Sequence, residues 1–267
     1  MKVLITGSSG YIGSHLSYLL RDDFEVHGLD ICKPQIDIHK FYQKDIKNSI
    51  NINEEYDAVI HLAAKANVSE SVRIPTEYYN TNVTGTLNVL QDITTKNFVF
   101  ASTGTAETPQ SPYGLSKRIC EDIIRERSSN YTIFRFYNVI GSTVAKSSNP
   151  DALMYNLLKA TETKEFTIFG YDYNTFDGTC LRDYVHVMEI CSALKAAIYK
   201  PSNQVESLGH GRGHSVIQIV ELFKTINNVE FEVKYAPRRD GDLASNVLDN
   251  PSSYMENLYT IEDTLRI

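Results

Sequence analysis

Thr6-Gly7-Ser8-Ser9-Gly10-Tyr11-Ile12-Gly13 lies between a short β-branched run, Val3 to Thr6, and a segment in which Tyr11, Ile12, Leu16, Leu19 and Leu20 recur at helical spacing. The run reads as a buried strand and the segment as a helix over Tyr11 to Leu20. Three glycines at this junction meet three requirements: a tight turn, close approach of backbone to a pyrophosphate, and close packing of helix on strand. The helix start adds free N–H groups and a partial positive charge that suit phosphates. Gly7, Gly10 and Gly13, with Tyr11 and Ile12 between them, are the expected dinucleotide cradle.

Phe24 to Leu29 reads as a second strand, and Asp30 closes it about 20 residues beyond Gly10. An acid there can accept hydrogen bonds from adenosine ribose hydroxyls and repel a 2′-phosphate, which favours NAD over NADP. Taken alone, Asp30 reads equally well as a capping aspartate. Further strands are expected at Ala58 to Leu62, Phe98 to Phe100 and Tyr131 to Tyr137. Helices are expected at Thr76 to Thr95 and Leu115 to Arg127. Strands alternating with helices and joined by right-handed crossovers give an α/β fold, a doubly wound parallel sheet of the Rossmann kind.

After Asn138 the texture changes. Gly141 to Pro150 is polar and aperiodic, Asp151 to Ala160 looks helical, and Phe166 to Ile168 looks like a strand. Val185 to Tyr199 and Ser215 to Ile226 read as helices, and Phe231 to Tyr235 as a strand. The expected division is a dinucleotide-binding domain over 1–137, to which 183–204 returns, and a smaller interleaved lobe built from 138–182 and 205–267.

The 267 residues are 42% hydrophobic and 22% charged, which excludes general disorder. Lys and Arg number 26 against 33 Asp and Glu, a net charge of -7, which argues against nucleic acid or an anionic membrane as partner. No run is long and apolar enough to span a bilayer, and the N-terminus does not read as a secretory signal. Cys32, Cys120, Cys180 and Cys191 form no C-x-x-C pair, so a cytoplasmic setting is expected. His61, His186 and His210 match no ligand spacing, and no metal is expected.

Tyr113-Gly-Leu-Ser-Lys117 puts a phenol and an ammonium on one face at the start of a helix. With 17 tyrosines in the chain, that spacing alone also describes an ordinary exposed pair. Following a glycine loop and a strand ending in Ser102-Thr103, it reads as a base and its tuning cation, because a nearby positive charge stabilises phenolate.

Together these pieces resemble the extended short-chain dehydrogenase/reductase family, and within it the 4-epimerases of UDP-glucose and UDP-galactose. The likeness runs through TGSSGYIGSHL, KDI at Lys44 to Ile46, HLAAKANVSESV from His61 and EYYNTNVTGTLNVL from Glu77. It continues through TPQSPYGLSK from Thr108, IFGYDYNTFDGTCLRDYVHV from Ile168 and APRRDGD from Ala236. The resemblance implies that Tyr113 acts as acid or base at the sugar 4-hydroxyl. Lys117 would hold the nicotinamide ribose, and Thr103 would hydrogen-bond the same sugar oxygen as Tyr113. Asp45 and Ile46 would flank the adenine. Leu62, Ala63, Ala64, Asn82 and Tyr137 would line the NAD groove. Asn138 would contact the nucleotide sugar, Arg182 and Arg239 would neutralise the UDP diphosphate, and Asp242 would bind the uridine ribose. Taken alone, either arginine reads as a solvated surface charge. A homodimer through the helices near 76–95 and 115–127 is also implied.

The segment between Thr103 and Tyr113 is short for that family, Ala152 stands where an asparagine is usual, and Asn246 sits near a position that sets room for an N-acetyl group. Gly104 and Thr105 replace the Asp-Glu pair of the related dehydratases. A 4-epimerase of UDP-GlcNAc or UDP-glucuronate, and a nucleotide-sugar-binding protein with weakened turnover, are the competing readings.

Overall fold

Val3, Leu4 and Ile5 are fully buried, because strand β1 (Lys2–Thr6) has neighbours on both edges and helices on both faces. The computed structural model describes residues 1–141, 144, 145, 149 and 152–267. Helix α1 (Tyr11–Leu20) returns the chain to β2 (Glu25–Asp30) and β3 (Lys40–Gln43). Strand β4 (Ala58–His61) then pairs with the other edge of β1. Helices α2 (Val68–Arg73), α3 (Pro75–Tyr78) and α4 (Gly85–Asp92) lead to β5 (Phe98–Thr103), and α5 (Pro112–Arg127) leads to β6 (Tyr131–Phe136).

The expected single helix over Thr76 to Thr95 is broken. A π-helical turn, Tyr79–Thr84, separates α3 from α4, and Thr94–Thr95 pairs as a short strand with Glu55–Tyr56. The wider turn suits close packing at Gly85, where a Cβ would lie 2.5 Å from Ile46 Cδ1.

The smaller lobe opens with β7 (Asn138–Ile140), α6 (Leu153–Thr163) and β8 (Glu165–Phe169), followed by β9 (Leu181–His186). Of the polar stretch 141–150, residues 142, 143, 146–148 and 150 lie outside the described residues, as does the expected helix start at Asp151. Helix α7 (Val187–Tyr199) crosses back to the large sheet. It begins two residues later than expected, since Val185 and His186 still belong to β9 and His186 caps the helix.

Strand β10 (Val205–Leu208) pairs in parallel with β6 and forms an edge of the large sheet. The segment after 204 was expected in the smaller lobe. Its alternating V-E-S-L pattern resembles no buried run, yet its backbone completes the sheet edge. The chain ends through β11 (Gly213–Ser215), α8 (Val216–Asn227), β12 (Glu232–Ala236), β13 (Ser245–Asn246) and α9 (Ile261–Leu265).

The large sheet has seven parallel strands in the order β10-β6-β5-β4-β1-β2-β3. Successive residues of its strands face opposite layers. Val3, Ile5 and Phe134 pack on Leu16 of α1 and on Ile190 and Leu194 of α7. Leu4, Val59 and Phe100 pack on Val89 of α4 and Ile124 of α5. The chain reverses its winding between β1 and β4, so their carboxyl ends splay apart and open a crevice. A third core joins Leu157, Phe166, Tyr184, Phe223 and Leu265 in the smaller lobe. Among the described residues no helix is long and apolar enough to cross a membrane.

His61 ends β4 with Nδ1 2.6 Å from Thr6 Oγ1 and Nε2 3.0 Å from Thr86 Oγ1. Burial, reinforced by the Lys117 ammonium, pushes its pKa down to about 3. The folded chain therefore holds it neutral, while the unfolded chain protonates it near 6.5. Its contribution to stability is complete above about 6.5 and is lost as pH falls toward 3. Urea midpoints should drop between pH 7 and pH 5. His61→Asn should start lower but show a shallower drop, and an unchanged slope would assign the effect to other groups.

Candidate active site

A cavity of about 530 Å³ opens over the carboxyl ends of β1, β4, β5 and β6 and is closed on the far side by the smaller lobe. Gly7, Gly10, Tyr11, Ile12 and Gly13 form one wall. Gly7 has φ +73°, and a Cβ there would lie 2.7 Å from Ala63 N. At Gly13 a Cβ would stand 2.0 Å from Gly7 O, so the helix can approach the strand only without a side chain. Gly10 caps α1 without a side-chain acceptor, and the first turn holds no acid. The first-turn N–H groups and the positive end of the helix are thus offered to the cavity, an environment that fits a pyrophosphate.

Asp30 stands at the edge of this cradle. Its Oδ2 accepts the Ser9 N–H at 3.0 Å and its Oδ1 the Cys32 N–H at 3.0 Å. The glycine loop itself therefore holds the carboxylate in place. Tyr11 donates its hydroxyl to Gly141 O and ties α1 to the end of β7. Leu62 and Ala64 line the cavity, while Ala63 backs Gly7.

Asp45, Ile46 and Asn82 lie outside the lining. Asp45 accepts the Lys47 N–H at 2.9 Å, and buried Ile46 receives Asn88 Nδ2 on its carbonyl at 2.8 Å. Asn82, expected in the groove, is buried behind it. It brackets Lys65 through N–H···Oδ1 at 2.8 Å and Nδ2–H···O at 3.1 Å, and donates to Ser116 Oγ at 2.9 Å. The π-helical turn aims its side chain inward at these backbone groups and away from the cavity.

The floor carries Thr103, Tyr113 and Lys117. Ser111 caps α5 by accepting the Gly114 N–H, and Pro112 fits the first turn, so Tyr113 sits where the helix starts. Tyr113 and Lys117 share the inward face, and the expectation of a common face is met. Burial pushes the Tyr113 phenol up to about 12, against a downward pull from the Thr103 hydroxyl. Burial pushes the Lys117 ammonium down to about 8, and it donates to Ala101 O at 2.8 Å above the Phe100 ring. Lys117 thus gives one of its three N–H donors to the strand backbone.

On the opposite wall Tyr137 and Asn138 meet the smaller lobe. Arg182 and Arg239 flank a single carboxylate, with Arg182 Nη2 3.6 Å and Arg239 Nε 3.0 Å from Asp242. Arg182 is only 12% exposed, so it is no solvated surface charge. Both guanidiniums thus stand beside the cavity of an acidic protein. Asn246 pairs with Arg182 in register, and Ala152 lines the cavity at the start of α6.

The sequence pattern of the NAD dependent epimerase/dehydratase family matches residues 3–209. A UDP-glucose 4-epimerase of Lactobacillus helveticus is 35% identical, with 94% of this chain and 89% of the relative covered. UDP-arabinose 4-epimerase 1 of Arabidopsis thaliana is 32% identical, with 96% of this chain and 74% of the relative covered. The solved structure of UDP-glucose 4-epimerase from Bifidobacterium longum in complex with NAD+ and UDP superposes with a TM-score of 0.88 at 26% identity, covering 99% of this chain and 96% of that one.

Below the floor lie residues that the sequence reading passed over. Glu121, one turn beyond Lys117 on α5, is fully buried. It takes Arg135 of β6 in a fork, Nε to Oε1 at 2.9 Å and Nη2 to Oε2 at 2.8 Å, and accepts Ser102 Oγ at 2.6 Å. The fork joins α5 to β6, and the Ser102 bond adds β5. Helical spacing from Lys117 was the available signal, but nothing local pointed to Arg135 as partner. Removing one member strands a buried charge. Glu121→Gln should cost about 3–5 kcal/mol in denaturant titrations, and replacing both Glu121 and Arg135 by methionine should recover most of that loss.

Proposed function

The chain belongs to the NAD dependent epimerase/dehydratase family, and we propose that the protein is an NAD-dependent isomerase that interconverts UDP-glucose and UDP-galactose at C4. One observation carries the reading: a buried phenol and ammonium lie on the floor between a phosphate-seeking helix start and a pair of arginines. Bound NAD supplies the hydride acceptor and donor at C4, and a positive ring that favours phenolate.

In this reading Tyr113 removes the proton from O4 and later returns one. Thr103 shares the same oxygen and limits the phenol's upward drift. Lys117, with its pKa near 8, stays largely protonated at neutral pH and keeps positive potential on the floor. Arg182 and Arg239 match a diphosphate through planar, permanently charged guanidiniums, and Asp242 both orients them and offers an acceptor to a ribose hydroxyl. With the nucleotide end anchored, the transient 4-keto sugar can turn over within the cavity and expose its other face. Gly7, Gly10, Tyr11, Ile12, Gly13, Asp30, Leu62, Ala63, Ala64 and Tyr137 serve the dinucleotide, with Asp45 and Ile46 at its adenine end. Asn138 serves the nucleotide sugar, and Asn82 acts on the groove from behind.

A second reading, a pentose UDP-sugar as substrate, is favoured by the likeness to the plant UDP-arabinose 4-epimerase. The proposal extends to a homodimer through the helical segments at 75–92 and 112–127, which the exposed Leu115 supports. It extends also to a cytoplasmic setting, supported by four free cysteines.

The test is incubation with UDP-galactose without added NAD, followed by chromatography of the nucleotide sugars. UDP-glucose should appear, and Tyr113→Phe should slow its formation by about 10²–10⁴-fold. UDP-arabinose in a parallel assay decides between the two substrates. A wild-type protein that converts no UDP-sugar would overturn the reading.

A further inference from the structure

Tyr78 is fully buried beside the floor, and none of the chemistry above uses it. Its ring meets that of Tyr113 edge-on, with centroids 6.3 Å apart and planes at 77°. Its hydroxyl donates to Glu70 Oε2 at 2.7 Å and accepts the Asn67 N–H at 3.1 Å. Glu70 is fixed twice more, by Lys65 Nζ at 3.1 Å and through its own N–H, which Asn67 Oδ1 caps at 2.8 Å. Lys65 Nζ also lies 5.4 Å from the centre of the Tyr78 ring.

Asn67, Val68 and Ser69 form the lip of the cavity at the start of α2. The turn that carries Arg239 and Asp242 leans on this lip. A Cβ at Gly241 would lie 3.0 Å from Val68 Cγ1 and 3.6 Å from Val72 Cγ2. A continuous packing path therefore runs from the arginine turn, through α2 and Glu70, to Tyr78 and Tyr113.

Ser111 and Ser116 fix the backbone around Tyr113, but they do not set its ring plane. The χ2 torsion of a tyrosine has a broad, two-fold profile, so a ring needs neighbours to define its plane. Tyr78 is such a neighbour. Its hydroxyl lies on the long axis of the ring, so the charge-assisted bond to Glu70 fixes where the far end of the ring sits, and close packing around this fully buried side chain holds the face it turns to Tyr113.

We propose that Tyr78 is a positioning residue: it sets the ring plane of Tyr113 and ties that ring to the cavity lip, so that seating a substrate under the lip and aligning the phenol are one event. The proposal rests on the proton-transfer role argued for Tyr113 above. It deepens that role by naming what aligns the base.

The test compares Tyr78→Phe, which keeps the ring and removes the tether, with Tyr78→Leu, which removes both. Kinetics with UDP-galactose should show kcat reduced about tenfold in the first and about 100-fold in the second, with KM within about twofold of wild type. The second measurement needs no turnover. Tyrosine labelled with ¹³C at Cζ reports the Tyr113 phenol by NMR, with Tyr113→Phe identifying its signal. In Tyr78→Leu that signal should move and titrate at lower pH, because water reaches the phenol. In Tyr78→Phe it should stay near its wild-type position. Unchanged kcat in both variants overturns the proposal, as does an unmoved Tyr113 signal in Tyr78→Leu. If wild type converts no UDP-sugar, the function fails, while the NMR signal still decides whether Tyr78 positions the phenol. Should Tyr78→Leu not fold, Tyr78→Phe decides by its kcat at constant KM.

Discussion

The distance between the first helix and the first strand governs the rest of the site. Gly13 rests against the Gly7 carbonyl so closely that a single methyl group would overlap it. That contact brings the start of α1 to the point where the sheet reverses its winding. It leaves N–H groups directed at the crevice and draws the Ser9 amide onto Asp30. Tyr11, on the first turn of the same helix, then reaches Gly141 at the start of the smaller lobe. One close contact thus sets the phosphate cradle, the acid beside it and a strut between the two lobes.

Electrostatics in the cavity depend on burial more than on net charge. The chain is acidic overall, yet the cavity gathers a helix N-terminus, Lys117, Arg182 and Arg239, with Asp242 reached by both arginines. The same burial works against both floor residues, raising the phenol and lowering the ammonium. In the free chain the phenol is neutral and the ammonium still largely charged at neutral pH. In the proposed reaction, added positive charge in the loaded cavity would lower the pKa of the phenol.

Much of this was legible in the sequence for physical reasons. A glycine loop between a β-branched run and a helical repeat has few folded solutions, and Tyr113 and Lys117 are one helical turn apart whatever surrounds them. Arg182 and Asp242 could be linked through the family resemblance, although 60 positions separate them, whereas local pattern alone left each arginine a surface charge. Other features were opaque. Lys40–Gln43 and Val205–Leu208 are edge strands, whose polar residues meet the solvent-facing needs of an edge and mimic loops. The π-helical turn leaves no periodic trace, and the family resemblance that put Asn82 in the groove carried no sign of its bonds to Lys65 and Ser116. Tyr78 and Glu121 act through partners brought near by the fold, Tyr113 and Arg135, and periodicity says nothing about such meetings.

The chain leaves the large sheet after Phe136, returns after His186 and leaves again after Leu208, and at Ser252 to Met255 it comes back to pack on that sheet before ending in α9 of the smaller lobe. A body hung from one thread swings freely, and from two threads it rocks about a line. Several threads, joined to β6, α7 and β10, leave it little more than a narrow breathing motion. Molecules entering the crevice would therefore thread in along its open side, without wide parting of the lobes. A cut after Phe136 or after His186 would part β10 from the other six strands of the large sheet, so the last edge of that sheet forms only once the chain has been through the smaller lobe.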